Sequence, residues 1–283
     1  MYFNNLADKC NYYRDLADYK LLPNSYVLCM LDGRSFSKMI KNRFKNPFDA
    51  EFMRMMDETA KYVCKNVQGA KLAYVQSDEI SIVLTDFETP TTDSFFSYRL
   101  CKMQSIIASL ATSKFNQLMM CYKFERMSDE HGNSPKFSAK EVARMIDDMH
   151  MCQFDCKCWN VPNVNDVYAW FLHRQIDCTR NSKQQAAQTY LSHKELVNKN
   201  TDQQVELLLT EKGVDWNDYK DGEKYGRFIW KQLTTFNNID TGTTYKRHEW
   251  QTHEAFVLTG ETGRKSFFDL EVIPEPGKDY GCN

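Results

Sequence analysis

Two kinds of apolar pattern alternate along the first half of this chain. Short continuous runs, YVLCML at 26–31, AKLAYV at 70–75 and ISIVL at 80–84, read as buried strands. Between the first two, NPFDAEFMRMMDETAKYVCKNV places Phe52, Met56, Ala60 and Val63 on one helical face, with Asp49 as its N-terminal cap. Residues 4–20 read as a short amphipathic helix with Leu6, Cys10, Tyr13 and Ala17 on its apolar face. LLPNS ends it, because the residue before a proline disfavours helix. A long helix is predicted over roughly 93–125, opening at TTDS. Strand, helix, strand, strand, helix is most of a ferredoxin-like βαββαβ unit, an antiparallel sheet with both helices on one face.

The second half is less regular. A polar loop is predicted at 128–138, a helix at 139–149, and a strand in CQFDCKCWNVP. Helices follow over roughly 163–191 and 201–211. The stretch 224–273 reads as mostly strand, with glycine turns at DTGTT and TGETGR. The expected fold class is therefore α+β. A palm-like core spans 1–160, and a helical and β extension, 161–283, packs on it as one unit.

Composition changes this picture little. At 283 residues, with 42% hydrophobic and 26% charged side chains, the chain is long enough for a sizeable core. A net charge of −2 gives no overall basic field, though a balanced total hides local patches. No apolar run is long enough to span a bilayer, and MYFNNLADKC lacks the basic and apolar regions of a secretory signal. No membrane association and a cytoplasmic location are expected, with the cysteines reduced. Cys152, Cys156 and Cys158 have CxxxCxC spacing, which suits small buried side chains better than a zinc site.

The candidate chemistry lies where strands end. Asp32 closes the first strand, and Asp78 and Glu79 sit in the turn between the next two. In a βαββαβ sheet the first strand lies beside the third, so the three acids can converge at one end. Uncompensated carboxylates raise each other's pKa, and a divalent cation removes that cost. Mg²⁺ binds through one or two carboxylates together with substrate phosphates. Gly33 allows close backbone approach, and Arg34, Ser35 and Ser37 offer phosphate-binding donors. Arg99 and Lys102, three apart on the expected long helix, would share a face. The alternative is a pair of solvated turns with no metal. Residues alone reach Mg²⁺-dependent nucleotidyl chemistry on a palm-like sheet and stop there.

The blocks LDGRSFSKM, PFD, AYVQSDEISIVL, RLCKMQSIIASLATSKFN, FDCKCWNVP, HRQIDCTRNS, SHKEL and GVDWNDYKDGEKYGRFIWK, in this order over about 25–231, resemble the tRNA-His guanylyltransferase superfamily, the 3′–5′ polymerases. The TRNS and GVDWNDY versions are most similar to its bacterial-type branch. The resemblance implies nucleotide addition to the 5′ end of tRNA, with two Mg²⁺ ions and ATP, GTP and other NTPs as substrates. Asp32, Gly33 and Asp78 would hold the metals, with Glu79 beside them as a catalytic acid. Asp32, Gly33, Arg34, Ser35, Phe36, Ser37, Ser77 and Asp78 would cradle the incoming nucleotide, and Arg99 and Lys102 its triphosphate. Lys45, Arg174, Asn181, Ser182, His193 and Lys194 would contact tRNA or the activating nucleotide, with Asp177 orienting Arg174. Family members resemble tetramers built as dimers of dimers.

That branch suits templated repair of 5′-truncated tRNA. The alternatives are addition of a single G at position −1 of tRNA-His, a palm-type nucleotidyl cyclase, or a non-catalytic RNA-binding member. Three departures stand out. Asn46 replaces a basic residue before PFD, His173 a Trp, and Lys157 an Arg.

Overall fold

The computed structural model describes residues 3–41, 43–89, 91–131, 151–237 and 243–276. In it the apolar runs pair as one sheet: β1 (Tyr26–Gly33), β2 (Ala70–Gln76), β3 (Glu79–Leu84), β4 (Phe154–Val161), β5 (Arg227–Asn237) and β6 (Thr244–Glu254). Their order is β4-β1-β3-β2-β5-β6, and every pairing is antiparallel. The first four positions are the ferredoxin-like order that the sequence predicts. β5 and β6 extend the same sheet beyond β2, so the sheet runs through both halves of the chain.

Alternation along the strands divides the core in two. Val27, Cys29 and Leu31 face α3 (Ala50–Asn66) and α4 (Leu100–His131), packing with Met55, Met56 and Phe115. Tyr26, Leu28 and Tyr74 face the other way, against Phe171 of α5 (Val164–Tyr190) and Phe267 of α9 (Gly260–Asp269). Each large side chain taken from water in these layers contributes about 1.5–3 kcal/mol. α3 starts where expected. The Asp49 carboxylate accepts from the Glu51 and Phe52 amides at 2.9 and 3.0 Å. Phe52, Met56, Ala60 and Val63 are all buried, as their spacing requires. Among the described residues no helix is long and apolar enough to cross a membrane.

Four expectations change. The first helix, α1 (Leu6–Asp15), buries none of its residues: Leu6 and Tyr13 are 76% and 58% exposed, so its apolar stripe faces outward. The long helix does not open at TTDS. A short 3₁₀ turn at Phe95–Tyr98 intervenes, with Phe96, Ser97 and Tyr98 at φ of 51°, 51° and 54°. Left-handed backbone costs these residues about 1–2 kcal/mol each, and burial of the Phe95 and Tyr98 rings offsets it. α4 then begins at Leu100 and continues through Ser128–His131, where a loop was expected.

The fourth change is at TGETGR, which opens α9 instead of forming a turn. A Cβ on Gly263 would lie 2.2 Å from the Val257 carbonyl oxygen, so this glycine permits close helix–loop packing. The helix expected at 139–149, and most of DTGTT, lie outside the described residues.

Candidate active site

The pairing register brings the first acids together. Asp32 lies directly opposite Glu79 on one side and Asp155 on the other. Gln76 pairs with Glu79, so only Ser77 and Asp78 close the β2–β3 hairpin. Ser77 takes φ of 45°, a conformation usually left to glycine in such loops. The Gly33 amide donates to the Asp78 carbonyl at 3.1 Å, fastening the hairpin tip to the end of β1.

The charges are under strain. Burial pushes the Asp78 carboxyl up to about 6, and the Asp32 charge adds to the shift. Partial burial and then Asp155 raise Asp32, while Lys157 and Arg174 restrain it. Burial also raises Glu79, but Arg174 opposes this. The Arg174 Nη1 donates to Glu79 Oε2 at 3.0 Å, and both side chains are 11% exposed. The Arg174 guanidinium also bonds Asp177, which in turn holds Arg180 at 2.9 Å.

The three acids do meet at one end of the sheet, where Asp32, Asp78 and Glu79 line a single cleft, but Glu79 is not free to serve it. Glu79 is turned to a guanidinium on α5, and its charge is satisfied there. Among the described residues no group of three or more His, Cys, Asp or Glu side chains is gathered to hold a metal. Asp32 and Asp78 remain, and two carboxylates are what Mg²⁺ needs when phosphates and water complete its shell. Two acids whose pKa values are raised by burial and by each other fit a cation, because its charge removes both penalties.

A cleft opens beside this pair. Its walls include Ser77 and Asp78 from the hairpin, Lys45 and Phe48 from the loop before α3, and Asn181 and Gln185 from α5. A second hollow adjoins it, bordered by Gly33, Ser35, Asn46 and Gln185.

Of the other residues singled out from the sequence, Ser182 lines the cleft and Phe36 borders the adjoining hollow, while the rest fall elsewhere. Arg34 is exposed and donates to Gln153 Oε1 at 3.2 Å. Phe36 is 1% exposed, its ring centred 5.0 Å from both Phe115 and Phe154, so it anchors the loop from the core side. The Ser37 side chain lies outside the described set. Ser182 is buried, its hydroxyl 2.9 Å from the Thr179 carbonyl and accepting from Trp216 Nε1 at 3.2 Å; it ties α5 to the chain after it. Arg99 precedes α4 and bonds Asp18 at 2.8 Å, and the Lys102 ammonium sits 4.3 Å from the Phe96 ring centre. Thr112, farther along α4, meets Phe154 opposite Gly33. At 1.5 Å per residue Arg99 is about 20 Å from that end. His193 and Lys194, in α6 (His193–Leu196), lie beyond the end of α5, about 18 Å on from Asn181. Within one chain these four cations are not brought to the cleft.

Sequence reasoning missed the Arg227–Asp57 pair at the back of the cleft. Arg227 Nε donates to Asp57 Oδ1 at 2.6 Å, and the two residues are 6% and 8% exposed. The available signal was an acid next to Met56 on the inward side of α3. Of the three clustered cysteines, Cys152 and Cys158 behave as small core side chains, Cys158 opposite Cys29, while Cys156 is half-buried with its sulfur 3.7 Å from that of Cys158.

Gly33 has a steric role as well as a positional one. A Cβ there would meet the Phe36 ring at 2.6 Å, and that ring is locked among Phe52, Phe115 and Phe154. Gly33→Ala is expected to cost about 1–3 kcal/mol in urea unfolding, as overpacked cores do. Unchanged stability would mean that Phe36 moves freely.

Comparison with known proteins gives consistent matches. The family model for tRNAHis guanylyltransferase matches residues 9–162. The tRNA(His) guanylyltransferase of Candida glabrata is 27% identical over 235 residues, 78% of this chain and 90% of that protein. The probable tRNA(His) guanylyltransferase of Dictyostelium discoideum is 26% identical over 79% of this chain and 82% of its own length. A solved bacterial tRNA(His) guanylyltransferase-like protein in complex with ATP aligns with TM-score 0.75 at 29% identity, covering 95% of this chain and 99% of that one. A second such structure, in complex with GTP, gives 0.70 at 27% identity over 94% and 98%.

Proposed function

This chain belongs to the tRNAHis guanylyltransferase family, whose members are nucleotidyltransferases acting on tRNA, and we propose that it rebuilds the 5′ end of truncated tRNA by templated 3′–5′ addition. The observation that carries the reading is the Asp32–Asp78 pair, held at the sheet end by the Gly33–Asp78 hydrogen bond and open to the cleft. The structural likeness to bacterial proteins that bind ATP and GTP supports the nucleotide classes. Family membership removes the cyclase reading.

The reaction has two phosphoryl transfers. An oxygen of the tRNA 5′-phosphate attacks the α-phosphorus of ATP and pyrophosphate leaves. The 3′-hydroxyl of an incoming NTP then attacks the activated 5′-phosphorus and AMP leaves. Asp32 and Asp78 would hold two Mg²⁺ ions, which when bound supply charge neutralisation at the transferring phosphate. The chain's own work is positioning. The hairpin tip and the end of β1 set the carboxylates. Gly33 and Ser35 border the adjoining hollow, where they offer room for the triphosphate. Of the two cations in the cleft wall, Lys45 has no carboxylate partner for its ammonium among the described residues, whereas Arg227 is neutralised by Asp57. Lys45 therefore takes the 5′-phosphate in the place where Asn46 brings no charge. Glu79, clamped by Arg174, fixes the start of β3.

A second reading, a single G added at position −1 of tRNA-His, is favoured by the names of the curated relatives. One assay separates the two. Mg²⁺, ATP and all four NTPs are given with a tRNA lacking its first nucleotide, bearing either a 5′-monophosphate or a 5′-triphosphate, and separately with full-length tRNA-His. Templated extension of the truncated tRNA supports repair; a single G on tRNA-His alone supports the second reading; no product from any substrate defeats both. Lys45→Ala is expected to slow the monophosphate reaction about 100-fold, with a smaller effect on the triphosphate end, which needs no activation.

A further inference from the structure

A second groove lies away from the carboxylates, between the outer edge of β6 and the helices α3 and α4. Lys61 and Lys65 come from α3, Lys114 from α4, and Arg247 and Trp250 from β6. Two acids border it, and each is already paired: Glu58 with Lys61 at 3.0 Å, and Glu249 with Arg247 at 2.5 Å. Lys65 and Lys114 have no carboxylate partner among the described residues, so the groove keeps a net positive charge. Aromatic rings are interleaved with the cations. The Lys114 ammonium is 5.6 Å from the Tyr62 ring centre, and the Arg247 guanidinium is 4.3 Å from that of Phe236.

Trp250 adds an independent sign. It is 8% exposed, it lines the groove, and its indole N–H is buried without a hydrogen-bond partner. A buried donor left unmade costs about 1–3 kcal/mol, so such groups are normally satisfied by something. Ammonium, guanidinium and indole groups are donors only. The matching ligand is an acceptor-rich anion with faces for stacking, which describes a nucleic-acid strand.

Position supports continuity with the cleft. α3 starts at the cleft loop, and Lys61 and Lys65 lie about 18 and 24 Å along it from Asp49. A polynucleotide whose end sits at Asp32 and Asp78 would present several phosphates over that span. We propose that this groove holds the phosphate backbone of the RNA whose 5′ end is extended in the cleft, an assignment that rests on the function proposed above.

The test is fluorescence anisotropy of a labelled tRNA with the full chain, across a series of salt concentrations. Lys65→Glu, Lys114→Glu and Arg247→Glu are combined in one variant, and Trp250→Phe, which removes the indole donor while keeping an aromatic ring, is measured beside it. The triple variant is expected to bind at least about 10-fold more weakly at moderate salt, with a salt slope shallower by about 2–3. Trp250→Phe is expected to weaken binding about 3- to 10-fold. Extension of a short RNA duplex of a few base pairs, unable to reach the groove, should proceed at the wild-type rate, which also shows that the variants fold.

Equal tRNA affinity and slope in wild type and triple variant would overturn the groove and leave the proposed function standing. No tRNA binding by the wild-type chain would overturn both. Unchanged tRNA binding with an altered oligomeric state would overturn it in favour of an interface between copies.

Discussion

Asp78→Asn is expected to abolish nucleotide addition, by at least about a thousandfold, while making the metal-free protein more stable. The reason is the carboxyl pushed up to about 6 by burial and by Asp32. The unfolded chain releases this proton near 4 and the folded chain near 6, so the folded state binds more protons between these values. That contribution to stability is fully present below the unfolded value and is lost as pH rises through about 6. At neutral pH the penalty is on the order of 2–3 kcal/mol, and asparagine, which carries no charge, escapes most of it. Mg²⁺ should offset the same penalty in the parent. Thermal unfolding in EDTA and in Mg²⁺ at pH 5 and pH 7.5 would show this directly. The parent should gain more from Mg²⁺ at the higher pH, and Asp78→Asn should gain little at either. A variant less stable than the parent in EDTA at pH 7.5 would mean that the carboxylate is already compensated by the protein.

The second large effect is on the fold. Arg174→Met is expected to destabilise the protein by about 3–5 kcal/mol in urea unfolding, because it strands Glu79 as a buried, unpaired charge. Breaking the pair differs from replacing it. Arg174→Met combined with Glu79→Gln should recover at least about 1 kcal/mol, since the isolated charge is gone. Additive losses in the double variant would show that Arg174 acts through Asp177 and the Trp170 ring beneath it. Activity of Arg174→Met should fall at least about 10-fold, because Glu79 starts β3 and sets the hairpin tip.

The part of the site that was legible from sequence is the part that local pattern controls. An apolar run that stops dead at Asp32, and two more joined through Ser77 and Asp78, place charged residues at strand ends whatever the rest does. The βαββ order then makes β1 and β3 neighbours, and the register follows. What was not legible depends on contacts far apart in sequence. Nothing near Glu79 announces that Arg174 will neutralise it, since the partner arrives on another helix. Arg99 and Lys102 lie far from the acids because β3 runs away from the hairpin tip, so the helix that follows it starts toward the other end of the sheet. The glycines of TGETGR were read as turn formers when Gly263 answers to packing.

The β1–β3 register also fixes when this site comes into being. Asp32 leaves the ribosome about fifty residues ahead of Asp78, and nothing local holds the two in reach of each other. They meet only when the intervening helix and strand have closed that loop, and Glu79 finds its guanidinium only after α5 has emerged. A fragment ending after β3 holds the two acids but lacks the guanidinium that pairs with Glu79. The growing polypeptide therefore gains its acid pair when β1 and β3 pair, before β5 and β6 have emerged to complete the sheet.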